Sequence, residues 1–167
     1  MLVTSKEANK ILNKLESDHN DLIKKEEEVR TFLSSVGEDL ESCRPEYDYE
    51  SVQKELETIE NKIIKLKHQI NMFNISTKVD GFDKTIDEML VYIPQLSRRH
   101  RKLGIMSSTR AKFREAINMR STIIDYRYVN YDVNKALEDY NAVDAELTRA
   151  QIALDTANLN NKFEIEL

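Results

Sequence analysis

Apolar residues between Val52 and Phe73 recur at alternating steps of four and three along the chain. We call this set the heptad stripe: Val52, Leu56, Ile59, Ile63, Leu66, Ile70 and Phe73. Such spacing is typical of a helix with one narrow apolar stripe, which is stable only when the stripe packs against another helix. The sequence therefore predicts a helix over residues 49–74 and a helical partner for it.

Three further helices are predicted from caps and apolar spacing. Thr4 with Glu7, and Thr85 with Glu88, have the spacing of a capping box, in which a hydroxyl and a carboxylate bond the free amides of a first helical turn. Asp132 is a suitable cap for the last helix. The predicted ranges are about 4–35, 85–104 and 132–159.

Glycine and proline predict where these helices end or bend. Gly37 predicts the end of the first helix, because glycine readily adopts the left-handed geometry by which a chain leaves a helix. Pro94 lies inside the third helix, and its missing amide predicts a kink or a break near Tyr92. Gly104, followed by hydroxyl residues at 107–109, predicts the end of that helix.

Residues 105–131 are predicted to be irregular or β-like. Within them, 123–129 is rich in β-branched and aromatic residues and predicts a small hairpin with 112–119. The tail, 162–167, alternates apolar and polar residues as a strand does. It is predicted to pair with 123–129 or with a second chain.

The scarcity of turn residues fixes the fold class. Three glycines and two prolines in 167 residues allow few tight turns, so the regular elements must be long and a many-stranded β fold is not expected. The sequence predicts an all-α protein, an antiparallel long-helix bundle or coiled coil of about four helices, with a small extended or β insertion after the third helix. It predicts one elongated helical domain over 1–167.

Positive charge is concentrated in one segment of a chain whose net charge is −5. From 98 to 127 there are nine basic residues against two acidic ones, a local charge of +7. The candidate anion or nucleic-acid contacts are Arg98, Arg99, Arg101, Lys102, Arg110, Lys112, Arg114, Arg120 and Arg127. Clustered bases with interleaved tyrosines are typical of phosphate binding and base stacking. The alternative is pairing with acidic residues of the same chain or of a neighbouring subunit.

No residue pattern indicates a reaction. His19, His68 and His100 lie one in each of the first three predicted helices, and none belongs to a His-x-x-x-His pair. Cys43 is the single cysteine, which excludes an intramolecular disulfide and a multi-cysteine zinc site. The three glycines are too scattered for a phosphate-binding loop. The sequence predicts no catalytic residue, no cofactor and no metal.

The chain carries neither a signal peptide nor a membrane segment by sequence pattern. Its first residues lack a basic region followed by an apolar run, and apolar runs elsewhere are only a few residues long. A single cysteine suits a reducing compartment. We expect a cytoplasmic protein that does not bind membranes.

Residues 69–77 contain the pattern Ile-Asn-x-x-Asn-x-x-Thr, which is followed by Gly81, Thr85 and the basic helix at 98–102. The chain here resembles the small bacterial septicolysin-like family, and the resemblance resumes at Tyr131, Asp132 and Val133 and at 151–158. Ile86, Met89 and Pro94 depart from the family pattern. The resemblance implies a helical, oligomeric cytoplasmic protein of unknown role.

The sequence thus favours a non-enzymatic, homo-oligomeric helical structural or interaction protein, whose partner is itself or another helical protein. One alternative is a nucleic-acid-binding module that uses the basic 98–127 segment. Another is an enzyme with a site between helices or subunits, in which His100 and nearby arginines take part.

Overall fold

The structure is a computed structural model that describes residues 1–115 and 124–167. Helices account for 68% of these residues, so the fold is dominated by helices, with small antiparallel strand pairs beside them. The helices are α1 (Ser5–Val29), α2 (Leu40–Cys43), α3 (Tyr49–Ser76), α4 (Ile86–Ser108) and α5 (Val133–Asn160). The strands are β1 (Leu2–Thr4), β2 (Lys112–Arg114), β3 (Tyr126–Tyr128) and β4 (Lys162–Glu164).

Contacts divide the described chain into two compact units. The first unit comprises Met1–Ser76 and Asn158–Leu167, and the second unit comprises Thr77–Ala157. Helices α1, α2 and α3 therefore belong to the first unit and α4 to the second, whereas the last turn of α5 belongs to the first. The single elongated domain stays a prediction.

Helices α1 and α3 pack against each other in the first unit and run antiparallel. Lys67 pairs with Glu16 at 2.7 Å, whereas His19, further along α1, contacts Glu60 at 3.1 Å, earlier along α3. Rising residue numbers on one helix thus meet falling numbers on the other. Helix α1 is the partner that the heptad stripe requires.

The heptad stripe is most deeply buried toward the end of α3. Leu66 is 0% exposed, Ile70 and Phe73 are also buried, and the four earlier members are half-buried. Ile64, which lies off the stripe on the same helix, is 65% exposed. Position on the stripe, rather than hydrophobicity alone, therefore decides which side chains of α3 enter the core.

The core of the first unit contains residues of α1 and α3 together with residues near the two ends of the chain. Its buried members are Val3, Ala8, Leu66, Ile70 and Ile165, and the half-buried Ile11, Leu12, Leu15 and Phe163 pack around them. Phe73 extends this core by stacking on Phe163, with the ring centroids 4.3 Å apart. Aromatic stacking of this kind adds to the gain from burial alone.

Strands β1 and β4 bring the two ends of the chain together. They pair antiparallel with Val3 opposite Phe163, and the Met1 ammonium donates to the Ile165 carbonyl at 2.8 Å. The predicted strand in the tail is therefore present, but its predicted partners were wrong. Ile165 is buried together with Val3 of β1 in one core. Strand β1 is only three residues long, which is too short to be recognised from its sequence.

Both predicted capping boxes are present. At the start of α1, the Thr4 amide donates to the Glu7 carboxylate at 2.8 Å and the Glu7 amide donates to the Thr4 hydroxyl at 3.3 Å. At the start of α4, the corresponding bonds between Thr85 and Glu88 measure 2.7 and 3.3 Å. These side chains fix the two helix starts.

Helix α1 ends at Val29, whereas the prediction extended it to about residue 35. Phe32 and Leu33 continue its apolar spacing but are exposed. The Tyr47 hydroxyl, just before α3, already donates to Glu26 at 2.9 Å, so α3 does not run alongside residues that follow Val29. Without a partner for the apolar side chains, the last predicted turns of α1 do not form.

The connection from α1 to α3 also differs from its prediction. Gly37 has a φ of +97°, the left-handed geometry expected of it, but it lies in a turn beyond the helix rather than at the end of α1. The four-residue helix α2 follows, where no helix was predicted.

Helices α4 and α5 also run antiparallel, within the second unit. The Tyr92 hydroxyl donates to Glu146 at 3.1 Å, and the Tyr131 hydroxyl, before α5, donates to the Met106 carbonyl near the end of α4 at 2.9 Å. The buried positions of α5 are spaced by seven residues: Ala136, Val143, Ala150 and Ala157. Three of these four residues are alanines.

Helix α4 continues through Pro94 and Gly104, the two residues that were predicted to bend, break or end it. Pro94 lies inside the helix at an exposed position, and no break occurs near Tyr92. Gly104 also lies inside α4, which ends only at Ser108. Before α4, Gly81 lies in a turn with a φ of +78°, and the Phe82 amide donates to the Val79 carbonyl.

Leu66→Ala is expected to destabilise the fold by about 2–5 kcal/mol, because it removes buried methyl groups and leaves a cavity. Leu2→Ala makes the same chemical change at an exposed position of the same unit and is expected to cost well under about 1 kcal/mol. Urea unfolding of the two variants measures the difference. Equal losses would contradict the assignment of Leu66 to the core.

The capping box of α1 makes stability depend on pH. The pKa of Glu7 is lowered by the hydrogen bonds from the Thr4 amide and hydroxyl. A carboxyl with a lower pKa in the folded state stabilises the fold above its unfolded pKa and loses this contribution as pH falls through the folded value. Glu7→Gln is therefore expected to lower the urea midpoint near neutral pH and to differ less from the wild type in acid. The control is Glu28→Gln on the same helix, and a pH-independent gap for Glu7→Gln would contradict this role.

Candidate functional site

Four of the nine predicted basic residues lie near the end of α4, and all four are exposed. Consecutive helical residues are about 100° apart around the axis. Arg98, Arg101 and Lys102 therefore share one face, and Arg99 lies beside them. None of the four forms an ion pair with any residue in the described ranges.

Strands β2 and β3 form an exposed antiparallel hairpin that carries further basic residues. Phe113 lies opposite Arg127, and every residue of both strands is exposed. The predicted hairpin is confirmed at these positions. Its connecting residues, including Arg120, lie outside the described part of the chain.

Arg127 is the one basic residue of this described segment that has a carboxylate partner. Its Nε and Nη2 atoms donate to the two carboxylate oxygens of Glu115 at 2.7 and 3.0 Å. This bidentate contact raises the pKa of Arg127 and lowers the pKa of Glu115. The intrachain pairing that the sequence left open thus accounts for Arg127.

Lys112 lies against the faces of two tyrosines of the opposite strand. Its Nζ atom is 4.2 Å from the ring centroid of Tyr126 and 5.2 Å from that of Tyr128. Both rings remain exposed, as does Phe113 beside them. Arg110 and Arg114 flank Lys112, are exposed, and have no ion-pair partner within residues 1–115 and 124–167. The hairpin therefore presents cations and aromatic faces together.

His100 lies on α4 beside the basic residues but takes part in packing between helices. Its ring stacks on Tyr140 of α5, with the centroids 4.6 Å apart. Its buried Nε2 atom is 2.9 Å from the Asp144 carboxylate, although the ring N–H is not aligned with that oxygen for a hydrogen bond. The two side chains are therefore close together but are not an acid–base couple held by a hydrogen bond.

Gly104 permits this packing. A Cβ atom at Gly104 would lie 3.2 Å from the Tyr140 ring, closer than ordinary van der Waals contact. Gly104, which was predicted to end α4, therefore leaves room for the Tyr140 ring of α5. One turn away, His100 stacks on the same ring.

An open groove of about 630 Å³ runs along α4. It is lined by Asp87, Glu88, Val91, Tyr92, Gln95, Leu96 and Arg99. Burial, followed by the hydrogen bond to Glu146, raises the pKa of Tyr92, so this hydroxyl stays protonated and acts as a donor. The lining thus offers hydrogen bonds and charges of both signs, but it contains neither histidine nor cysteine.

The three histidines are divided between the two units. His19 and His68 belong to the first unit and His100 belongs to the second. Glu16 and His19 stand three residues apart on α1, a spacing that suits two ligands and that the sequence reasoning overlooked, but the Glu16 carboxylate is paired with Lys67. The described ranges contain no group of three histidine, cysteine or acidic residues that could hold a metal ion.

Comparison with known proteins gives one informative likeness. No model of a known protein family matches the chain, and no curated protein matches it. A solved structure, that of a functionally unknown conserved protein from Corynebacterium diphtheriae, is similar with a TM-score of 0.62 and 14% sequence identity. The match covers 98% of this chain and 100% of that one. At this identity the likeness concerns the fold alone, and the septicolysin-like resemblance stays a prediction.

No helix in the described ranges combines the length and the apolar character needed to cross a membrane.

Gly104→Val is expected to cost about 1–3 kcal/mol, because the new side chain forces Tyr140 out of its position. Gln95→Val introduces the same side chain at an exposed position of the same helix and is expected to cost about 0.5 kcal/mol or less. Urea unfolding of the two variants tests the difference. If Gly104→Val were as stable as Gln95→Val, the close contact with Tyr140 would not constrain this residue.

Proposed function

We propose that the protein is a homo-oligomeric helical structural or interaction protein without enzymatic activity, whose four long helices form an antiparallel bundle or coiled coil. The observation that carries this proposal is the apolar character of helix faces that stay exposed among residues 1–115 and 124–167. Cys43, as the single cysteine, suits work in the reducing cytoplasm.

The outward face of α3 supports self-association. Ile64, Met72 and Ile75 are all more than half exposed, and their spacing puts them within about 80° of one another around the helix. They lie on the side of α3 away from the buried members of the heptad stripe. Grouped apolar side chains of this kind mark a surface that gains free energy when a partner covers it.

Helix α5 has a second face of the same kind. Leu137, Ile152 and Leu159 are exposed and fall within about 60° of one another. Fully burying a leucine or isoleucine side chain contributes about 1.5–3 kcal/mol. Two such faces on one chain favour association between identical copies, for which symmetric assemblies are the usual outcome.

Light scattering coupled to gel filtration is expected to give a molar mass that is a multiple of 19.5 kDa. Met72→Asp and Ile152→Asp introduce a charge on the two faces, and at least one of them is expected to lower this mass. Gln151→Asp, an exposed neighbour on α5, is the control. A mass of 19.5 kDa at every concentration from about 1 to about 100 µM would overturn the proposal.

A second candidate is nucleic-acid binding, which the Lys112 contacts with Tyr126 and Tyr128 specifically favour. Exposed aromatic rings beside unpaired cations provide both stacking and phosphate contacts. Fluorescence anisotropy with a single-stranded oligonucleotide tests it at low and high salt. This candidate requires an affinity that falls with salt and weakens in Lys112→Glu but not in Lys24→Glu, an exposed lysine of α1. Absence of binding at low salt would remove it.

A further inference from the structure

The connection between α1 and α3, residues 31–48, forms an acidic tip on the first unit. It contains five acidic residues and one basic residue, a local charge of −4. The acidic residues are Glu38, Asp39, Glu41, Glu46 and Asp48, and all are exposed. Leu33, Val36 and Leu40 are exposed among them, with Leu33 at 97%. The acidic tip therefore combines negative charge with apolar side chains that contact little else.

Local bonds give the acidic tip a defined shape but leave much of its charge unpaired. The Ser35 amide donates to the Glu38 carboxylate at 2.8 Å, and the Arg44 guanidinium pairs with Glu41 at 3.0 Å. Asp39 caps α2 without a side-chain hydrogen bond, and the Glu46 side chain has no ion-pair or hydrogen-bond partner in the described residues. Arg44, the single base of the tip, is thus already engaged.

The basic surface of the second unit has the complementary composition. It comprises the end of α4 from Arg98 together with the β2–β3 hairpin, and seven of its eight described bases have no ion-pair partner within the described ranges. Phe113, Tyr126 and Tyr128 are exposed among these bases. It therefore offers positive charge and aromatic faces where the acidic tip offers negative charge and aliphatic side chains.

We infer that the acidic tip of one copy docks on the basic surface of a second copy of this chain. This inference rests on the proposed self-association and names one of its interfaces. Opposite charges orient the two surfaces, and the apolar side chains on both provide the area whose burial holds them together. A nucleic acid would occupy the basic surface but would leave the exposed aliphatic side chains of the acidic tip without a partner, so a second copy accounts for more of the structure.

The contact joins two different surfaces and is therefore head-to-tail. Each copy presents one acidic tip and one basic surface, so every copy can bind two neighbours. Such contacts generate a closed ring when the rotation between copies closes, and an open filament when it does not.

Charge reversal on each side tests the contact by the molar mass in solution. The tip variant is Asp39→Lys with Glu46→Lys, and the surface variant is Arg101→Glu with Arg110→Glu. Each alone is expected to reduce the mass toward 19.5 kDa, as is a rise in salt from about 50 mM to about 500 mM. Lys24→Glu with Lys25→Glu, an equal change at exposed positions of α1, is expected to leave the mass unchanged.

Mixing the two variants gives the decisive result. The tip variant, whose local charge changes from −4 to 0, keeps an intact basic surface, and the surface variant keeps an intact acidic tip. An equimolar mixture is therefore expected to have a higher mass than either variant alone. A contact within one chain cannot be restored by mixing. Circular dichroism of each variant checks that the helices are retained, and Leu33→Ser, which alters no charge, is expected to weaken the association as well.

The outcomes separate this inference from the proposed function. An oligomer that is indifferent to both reversals overturns the docking and leaves self-association through the faces of α3 and α5. A wild-type monomer overturns both. Sensitivity to the surface reversal alone, accompanied by nucleic acid in the purified protein, overturns the docking in favour of nucleic-acid binding.

Discussion

Each long helix of this protein buries one narrow stripe against an antiparallel neighbour, and the rest of the structure depends on that packing. In the first unit Leu66 and Ile70 of α3 lie with Ala8 of α1. In the second unit α5 buries one residue in every seven, mostly alanines. A stripe of this width covers only part of a helix circumference, so most residues face outward. The polar composition, 40% hydrophobic and 33% charged, follows from this arrangement.

The same geometry determines which side chains lie on the surface of the protein. A helix whose apolar stripe is already packed against a neighbour requires no further apolar residues for its own burial. Helices α3 and α5 nevertheless carry exposed isoleucine and leucine on their outward sides. Charge is likewise separated, with the acidic tip in the first unit and the basic surface in the second. Surfaces of opposite sign that both carry exposed apolar side chains are the features on which the proposed self-association rests.

The sequence predicted the long helices well because each is specified locally. The heptad stripe and the capping boxes of Thr4 and Thr85 need no distant partner to be recognised, and helix starts were accurate within a residue or two. The predictions failed where contacts between residues far apart in the sequence determine the local structure. The end of α1 depends on where α3 begins, Gly104 serves a ring from another helix, and β4 pairs with a segment at the opposite end of the chain. The basic residues were found from charge alone, but their pairing state was not, since only the structure brings Glu115 and Arg127 together.

The pairing of β1 with β4 has a consequence for the order of events during synthesis. The second unit is one continuous stretch of chain, whereas the first unit takes its β4 strand from residues translated after the entire second unit. During synthesis, α1 and α3 therefore leave the ribosome before Phe163 and Ile165, the residues that complete the packing around Phe73 and Val3. The whole second unit is synthesised in between. Until Phe163 and Ile165 are synthesised, the nascent first unit exposes part of its own core, and exposed core surface of this kind promotes aggregation.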